Sequence, residues 1–259
     1  SMKLAEIRGT VHLITNKTNQ DLTDTMNNYA RVRIKELQKK SLHGFILKKD
    51  SPSCGIFRVR VHKSSASNER KGRGLFAEAL MNQYPDLPME EEGRLQDLKL
   101  RENFIERVFS YHRWLSFVNS HPRAGDLVNF HTRQKLAILA HSRTHYQKLG
   151  QLVAQSGKKQ IAKILTEYRS LYMNALSVHT TTRKHADVLY HVTGYLKKVL
   201  DAGDKAELVE TIEKYRCGII PLIVPLTLLN HHFRRHPVSW VQEQTYLNPY
   251  PAELMLRNH

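Results

Sequence analysis

Residues 44–61 read GFILKKDSPSCGIFRVRV, and this stretch predicts the fold around which the first half of the chain is built. A short apolar run precedes the polar centre and an alternating apolar run follows it, which predicts two strands. Pro52 and Gly55 favour a tight turn between them. Cys54, one of only two cysteines, lies at the tip of that turn. A thiol on such a loop can ligate a metal or attack a substrate, whereas the alternative is a turn that packs a small apolar side chain.

Composition places the chain among globular proteins. It has 259 residues, of which 41% are hydrophobic and 25% charged, and this predicts one or two domains. No apolar run approaches the roughly 20 residues that span a bilayer, so no membrane association is expected. Two distant cysteines do not form a disulfide framework, which favours a reducing, cytoplasmic setting.

The charge favours a polyanionic partner. The net charge is +16 and the pI about 9.9. The basic excess is spread along the chain, since residues 123–259 carry 19 Lys and Arg against 10 Asp and Glu. Nucleic acid is therefore the preferred partner, and a generally basic surface is the alternative.

Periodicity predicts a mixed first half. Its elements are a strand at Thr10–Thr15, a helix at Asp21–Lys40, the two strands around Cys54, a polar loop at 63–73 with its tip at 64–68, a helix at 74–83, a helical region from Glu90, and a helix at 98–117. Strand, helix and strand at this spacing suggest a βαβ unit with a parallel pair.

The second half is predicted to be all helical. Proline and glycine mark a boundary near 119–126, which gives domains at 1–120 and 121–259. Helical periodicity then resumes, with helices at 126–139, 143–155, 158–176, 182–201, 204–216, 219–232 and 238–245. This pattern is typical of a helical bundle, in which Cys217 is expected to be a small buried side chain.

Three further motifs, together with the Cys54 loop, indicate a resemblance to a known protein family. They are GRGLF at 72–76, EEGRL at 91–95 and RENFIERVF at 101–109. With the Cys54 loop they resemble the thiouracil desulfurase family. The second half, from NFHTRQK at 129–135 to PYP at 249–251, resembles the YbgA-like helical domain. The two occur fused in the tRNA 4-thiouridine desulfidases (RudS-type), so the resemblance implies an α/β plus all-α chain, with a partial Rossmann-like N-terminal domain followed by a C-terminal helical bundle.

The resemblance also implies an iron–sulfur site. Family members hold a [4Fe-4S] cluster with three cysteines, and its open iron takes the thiocarbonyl sulfur of the substrate. Carried over to this chain, Cys54 is a metal ligand, and Ser51 and Ser53 are catalytic candidates. The alternative for Ser51 is a turn residue that bonds its own loop.

The departure from the family concerns the cluster. The family's N-terminal Ser-Ala-Cys-Leu and Cys-Pro-Glu motifs are absent, so Cys54 is the only matching ligand. One thiolate cannot hold a cubane that needs about four ligands. The expectation is that the complete family form carries a [4Fe-4S] cluster, whereas this chain as given lacks a stable one and is inactive. It is then either a fragment or a naturally shortened protein.

Basic and aromatic residues mark candidate RNA contacts in the second half. Arg and Lys contact phosphates, while His and aromatic rings stack on bases. The predicted nucleic-acid-binding residues are His131, Arg133, Lys135, His141, Arg143, His145, Lys148, His232, Arg234 and Arg235. A zinc site at His141 and His145, placed i,i+4 on one helix, is an alternative, as is a solvated face.

Three hypotheses follow. The first is a tRNA-binding protein of the desulfidase family that, in its complete form, removes sulfur from thiolated uridine. The second is a non-catalytic RNA-binding module, because two of three cluster cysteines are missing. The third is a structural or partner-binding protein, with the missing cysteines supplied in trans.

Overall fold

The computed structural model describes residues 1–63 and 69–258. The chain divides into two compact units, Ser1–Phe104 (unit 1) and Ile105–His259 (unit 2). The division falls inside a long helix, α3 at Leu98–Asn119, and so earlier than the loop near 119–126 that the sequence suggested.

Unit 1 is an α/β unit, as predicted. Its elements are β1 Met2–Ile7, β2 Thr10–Thr15, α1 Thr23–Leu37, β3 Phe45–Leu47, β4 Val59–His62, β5 Glu69–Gly72, α2 Leu75–Gln83 and β6 Met89–Glu91. Four strands form one sheet in the order β2-β1-β4-β5, while β3 and β6 form a second, parallel pair.

The predicted pairing of the strands before and after α1 is wrong. β2 pairs antiparallel with β1, which the sequence analysis missed, and β1 in turn pairs parallel with β4. The β1–β2 turn consists of Arg8 and Gly9, both with positive φ, at 51° and 80°. Two such residues are typical of the type I′ turn that closes two-residue hairpins.

Two further expectations for unit 1 change. The predicted polar loop at 63–73 ends in the strand β5, although its expected tip at 64–68 lies outside the described residues. The helical region expected from Glu90 is instead the short strand β6, because Phe45–Leu47 offer it a parallel partner.

The core beneath the larger sheet consists of Leu4, Leu13, Val59, Val61 and Leu75.

Unit 2 is helical, as predicted. After α3 come α4 Ala124–His141, α5 Arg143–Val153, α6 Ile161–Ser177, α7 Thr182–Thr193, α8 Ala202–Arg216, α9 Ile223–Arg235 and α10 Ser239–Gln242. The longer of these helices bury apolar side chains at helical spacing, which is why helical periodicity located them. Trp114 stacks on Tyr168 with ring centroids 5.2 Å apart, and both rings are buried.

Candidate functional site

The Cys54 loop begins directly after β3. Asp50 has a positive φ of 54°, and the Gly55 N–H donates to the Ser51 carbonyl at 2.8 Å, so the chain closes a tight turn around the thiol. A Cβ on Gly55 would lie 2.4 Å from the Val59 side chain and 2.9 Å from the Ser51 carbonyl oxygen. The turn therefore requires glycine behind the sulfur.

The loop also caps α2. The N–H groups of Phe76 and Ala77 donate to the Ser53 carbonyl at 2.9 and 3.1 Å. A Cβ on Gly74 would lie 2.4 Å from the Ser53 carbonyl carbon, so glycine is needed for this approach. The first N–H groups of α2 are thus bonded to the loop, and α2 is fixed directly behind Cys54.

Ser51, Ser53 and Cys54 form one chain of polar contacts. The Ser51 hydroxyl accepts from the Cys54 N–H at 3.2 Å and lies 3.1 Å from the Ser53 hydroxyl. The Ser53 hydroxyl in turn lies 3.3 Å from the Cys54 sulfur. The structure therefore brings together the three residues that the sequence selected, and it gives Ser51 a clear role in shaping the turn.

Two glutamates, Glu91 at the end of β6 and Glu92 directly after it, hold both ends of the loop, and the sequence analysis gave neither of them a role. Glu91, which is 1% exposed, accepts from the N–H groups of Ile56 and Phe57 at 2.7 and 3.0 Å. The Glu92 carboxylate accepts from the Lys49 N–H at 2.7 Å. The local signal was the EEGRL motif at 91–95, which the sequence analysis used only for the family resemblance.

The thiol faces an open cavity of about 380 Å³ in unit 1. Aromatic and basic side chains share its walls with Ser53 and Cys54. They are Tyr29, Phe45 and Phe76, with Arg33 and Lys48. The rings of Tyr29 and Phe76 are 6.2 Å apart and tilted by 48°. A cavity with these walls suits a planar aromatic group that is linked to negative charge.

The described residues do not fit a [4Fe-4S] cluster. Cys54 is the one thiol of unit 1, and Cys217 belongs to unit 2, where it is exposed rather than buried as expected. Within residues 1–63 and 69–258 no group of three or more His, Cys, Asp and Glu side chains is placed to hold a metal ion. A cubane requires about four ligands, so Cys54 alone supplies too few.

The predicted RNA-contact residues of α4 divide between core and surface. His131 and His141 are 4% and 2% exposed, so neither lies on an RNA-accessible outer face. They belong to the inward stripe of α4 with Leu127 and Ile138, which spaces them at helical intervals. Lys135 is half-buried, while Arg133 is exposed and forms an ion pair with Glu243 at 3.3 Å.

The buried histidines are held by specific partners. The His131 Nδ1 and the Tyr168 hydroxyl lie 3.1 Å apart, and burial, together with nearby Lys135, lowers the pKa of His131 to about 4. The His141 Nδ1 lies 2.6 Å from the Val178 carbonyl oxygen, and its Nε2 lies 3.3 Å from the Glu106 carboxylate.

His141 and His145 do not share a helix. α4 ends at His141 and α5 begins at Arg143, so the predicted i,i+4 arrangement for zinc is wrong. The His145 Nδ1 instead lies 2.9 Å from the hydroxyl of Ser142, the N-cap of α5. Burial and nearby Lys148 lower the pKa of His145. Arg143 and Lys148 are exposed on α5.

The predicted RNA-contact residues of α9, His232, Arg234 and Arg235, also divide between core and surface. His232 is 3% exposed and neither ring nitrogen has a hydrogen-bond partner, so it is a core residue rather than an RNA contact. Arg234 and Arg235 are exposed at the end of the helix.

A buried charged network in unit 2 was not foreseen from the sequence. Burial alone would raise the pKa of Glu106, but His141, Arg257 and His185 outweigh it and lower the pKa to about 2. Arg257 is 5% exposed, donates to the Tyr246 carbonyl at 2.7 Å and stacks on the Tyr246 ring. This network joins residues remote in sequence, which is why no local pattern signalled it.

No helix in the described part of the chain has both the length and the apolar character that a membrane crossing demands.

Comparisons with known proteins agree with the two-unit architecture. Residues 1–92, which include the Cys54 loop and β6, match the 2-thiouracil desulfurase family. Residues 135–251 match a family described as a protein of unknown function (DUF1722). No solved structure matches the chain.

A curated relative extends the second match. Uncharacterized protein YbgA from Escherichia coli (strain K12) is 33% identical over 158 residues, which cover 61% of this chain and 94% of YbgA. The protein is thus a desulfurase-like α/β unit fused to a helical domain, and it belongs to the YbgA family.

Proposed function

We propose that this protein binds tRNA and receives a thiolated uracil base, that of 4-thiouridine, in the cavity beside Cys54. The observation that carries this proposal is the placement of one thiol and two hydroxyls on the wall of an aromatic, basic cavity. A 2-thiouracil desulfurase match over the same residues supports a thiolated pyrimidine as the ligand.

The cavity walls account for each part of such a ligand. Tyr29, Phe45 and Phe76 offer rings for a pyrimidine, since bases stack on aromatic side chains. Arg33 and Lys48 offer cations for the adjoining phosphates. The volume of about 380 Å³ lies within the usual range for small-ligand sites.

The reaction that we propose is the removal of sulfur from the thiolated base. This chain contributes the binding site for the base and one thiolate. The desulfidase resemblance implies a [4Fe-4S] cluster, but the described residues supply Cys54 alone. Turnover through such a cluster would require thiolates beyond those of unit 1.

A second candidate function is RNA binding without catalysis. It is favoured by the single thiol and by exposed cations on unit 2, among them Arg143, Lys148, Arg234 and Arg235. Both candidate functions require binding to RNA. They differ in one expectation: only the first predicts that the Cys54 cavity binds a thiolated base more tightly than an unmodified one.

The test compares tRNA with and without 4-thiouridine at several salt concentrations. Affinity should fall steeply with salt, because cations that contact phosphates release counterions. Thiolated tRNA should bind more tightly, and near-ultraviolet irradiation should cross-link its thiobase to residues lining the Cys54 cavity. The substitution Phe76→Ala is expected to remove the preference for thiolated tRNA.

Charge reversal tests the partner separately. Arg143→Glu with Lys148→Glu should weaken binding of both tRNAs equally and flatten the salt dependence. Lys214→Glu is the matched control, because Lys214 is exposed in the same unit but pairs with Glu210 at 2.7 Å. If binding does not weaken with salt, or if no binding is detected at low salt, the proposal that cations of this protein contact tRNA is wrong. Equal affinity for the two tRNAs leaves the non-catalytic RNA-binding module.

A further inference from the structure

A second cavity lies between α4 and α5 of unit 2. Its volume is about 470 Å³, and its walls are His131, Lys135, Tyr146, Gln147, Gly150 and Gln151. Apart from the glycine, every lining side chain is polar or carries a polar group. This composition differs from the buried apolar side chains that the same two helices carry elsewhere, such as Leu136 and Leu149.

Gly150 keeps this cavity open. It lies in the interior of α5, where glycine is less favourable than alanine. A Cβ at Gly150 would have no atom within 4 Å, so helix packing does not require glycine there. A side chain at this position would instead occupy part of the cavity.

The walls offer neutral hydrogen-bonding groups with a single cation. Gln147 and Gln151 are one turn apart on α5 and present amides that both donate and accept. His131 is a buried residue in the middle of α4, and since its pKa is lowered to about 4, its ring is uncharged at neutral pH. Lys135 supplies the positive charge.

We propose that the cavity between α4 and α5 binds one unstacked nucleobase of an RNA. Tyr146 offers a ring for stacking, the glutamine amides bond the polar edge of the base, and Lys135 contacts the adjoining phosphate. A site for a bare phosphate would need several cations or free backbone N–H groups, whereas these walls carry one cation and two amides. This inference rests on the proposed RNA binding and names a contact in unit 2, separate from the Cys54 cavity.

The experiment fills the cavity without disturbing the helix. Gly150→Leu places a side chain in the open space and replaces glycine with a good helix former, so the stability of unit 2 should hold or rise. The matched control is Gly125→Leu, because Gly125 is an exposed glycine of α4 that likewise has no atom within 4 Å of a Cβ and does not line the cavity. Binding of a labelled single-stranded RNA to the full chain is measured for the wild type and both variants.

The Gly150→Leu protein should bind this RNA on the order of tenfold to a hundredfold more weakly, which corresponds to the loss of one stacked base. Its salt dependence should change little, because phosphate contacts elsewhere remain. Uridine or adenosine monophosphate should compete with the RNA better than ribose 5-phosphate, which has the same sugar and phosphate but no base.

The outcomes separate the two proposals. If the wild type binds RNA while Gly150→Leu binds equally well, the nucleobase cavity is refuted and RNA binding stands. Equal competition by ribose 5-phosphate would also refute a base site, since it would indicate an anion site. A wild type that binds no RNA at low salt overturns both proposals.

Discussion

The Cys54 loop and the His131–Lys148 segment are both rich in polar side chains, but the structure places those side chains very differently. In the loop, Ser51, Ser53 and Cys54 contact one another and line an open cavity. In the helical segment, His131 and His141 are buried, whereas Arg143 and Lys148 are exposed. A tight turn collects neighbouring residues, while a helix distributes them around its axis.

Buried polar side chains have different roles in the two units. In unit 1, buried polar groups such as Glu91 hold a loop that presents a thiol. In unit 2, Glu106, His141 and Arg257 belong to a buried network inside the bundle. The comparison therefore predicts that substitutions of buried polar groups in unit 2 act on stability, whereas those in the loop act on the thiol.

The largest effect is expected at Glu106. Glu106→Ala removes a buried carboxylate near Arg257 and with it the oxygen that lies 3.3 Å from the His141 Nε2, and losing one partner of such a buried network costs about 3–5 kcal/mol. Denaturant unfolding followed by tryptophan fluorescence measures it, because Trp114 and Trp240 are the only tryptophans and both belong to unit 2.

The control for Glu106 is another carboxylate of unit 2. Glu243→Ala removes an exposed ion pair with Arg133, in which both side chains are more than half exposed, so its cost should stay below about 1 kcal/mol. Similar losses from the two substitutions would show that the buried network adds nothing beyond a surface pair.

Acid should destabilise unit 2 through its buried histidines. The pKa of His131 is lowered to about 4 and that of His185 to about 3, while unfolded histidine titrates near 6.5. The unfolded state therefore binds more protons below pH 6.5, and stability falls from there toward the folded pKa values. At pH 5 each histidine should cost about 2 kcal/mol relative to pH 7.

Glu106 extends this loss to lower pH. Its folded pKa of about 2 lies below the ordinary 4.5, so its contribution is present above pH 4.5 and is lost as the pH falls toward 2. Tryptophan fluorescence in denaturant at pH 7, 6 and 5 tests the histidines before Glu106 titrates. His131→Gln should remove about half of the pH dependence, and an unchanged slope would contradict the role of His131.

Much of the helical unit was predictable from sequence, because α4 to α9 carry apolar side chains at helical spacing. The burial of His131 and His141 was readable too, since they share the stripe of Leu127 and Ile138. Strand partners were not predictable, because β6 has an acidic sequence and its partner β3 lies more than forty residues earlier in the chain. Local patterns carry no information about such distant pairings.

The sequence predicted the part of the candidate site whose residues are neighbours in the chain. Ser51, Ser53 and Cys54 adjoin in sequence, and Pro52 and Gly55 mark their turn. Glu91, Tyr29 and Phe76 come from other elements, so only the fold places them around the loop.

The smallest effect is expected within the Cys54 loop. The Ser51 hydroxyl accepts from the N–H groups of Cys54 and Ser53, so Ser51→Ala leaves both without that partner and should loosen the turn by about 1 kcal/mol. The alkylation rate of Cys54 should then rise by up to about fivefold. The exposed Cys217 of the same chain serves as the internal reference.

Ser53→Ala is the matched control for this turn. The Ser53 hydroxyl contacts Ser51 and the Cys54 sulfur but accepts from neither loop N–H, so its removal should leave the turn intact and the alkylation ratio of Cys54 to Cys217 near the wild-type value. Global stability followed by tryptophan fluorescence should be unchanged in both variants, since that signal belongs to unit 2. Equal acceleration by the two serine substitutions would mean that any hydroxyl of the loop restrains the thiol. The specific role of Ser51 in the turn would then be refuted, and Glu91 and Glu92 would remain as the side chains that hold the loop.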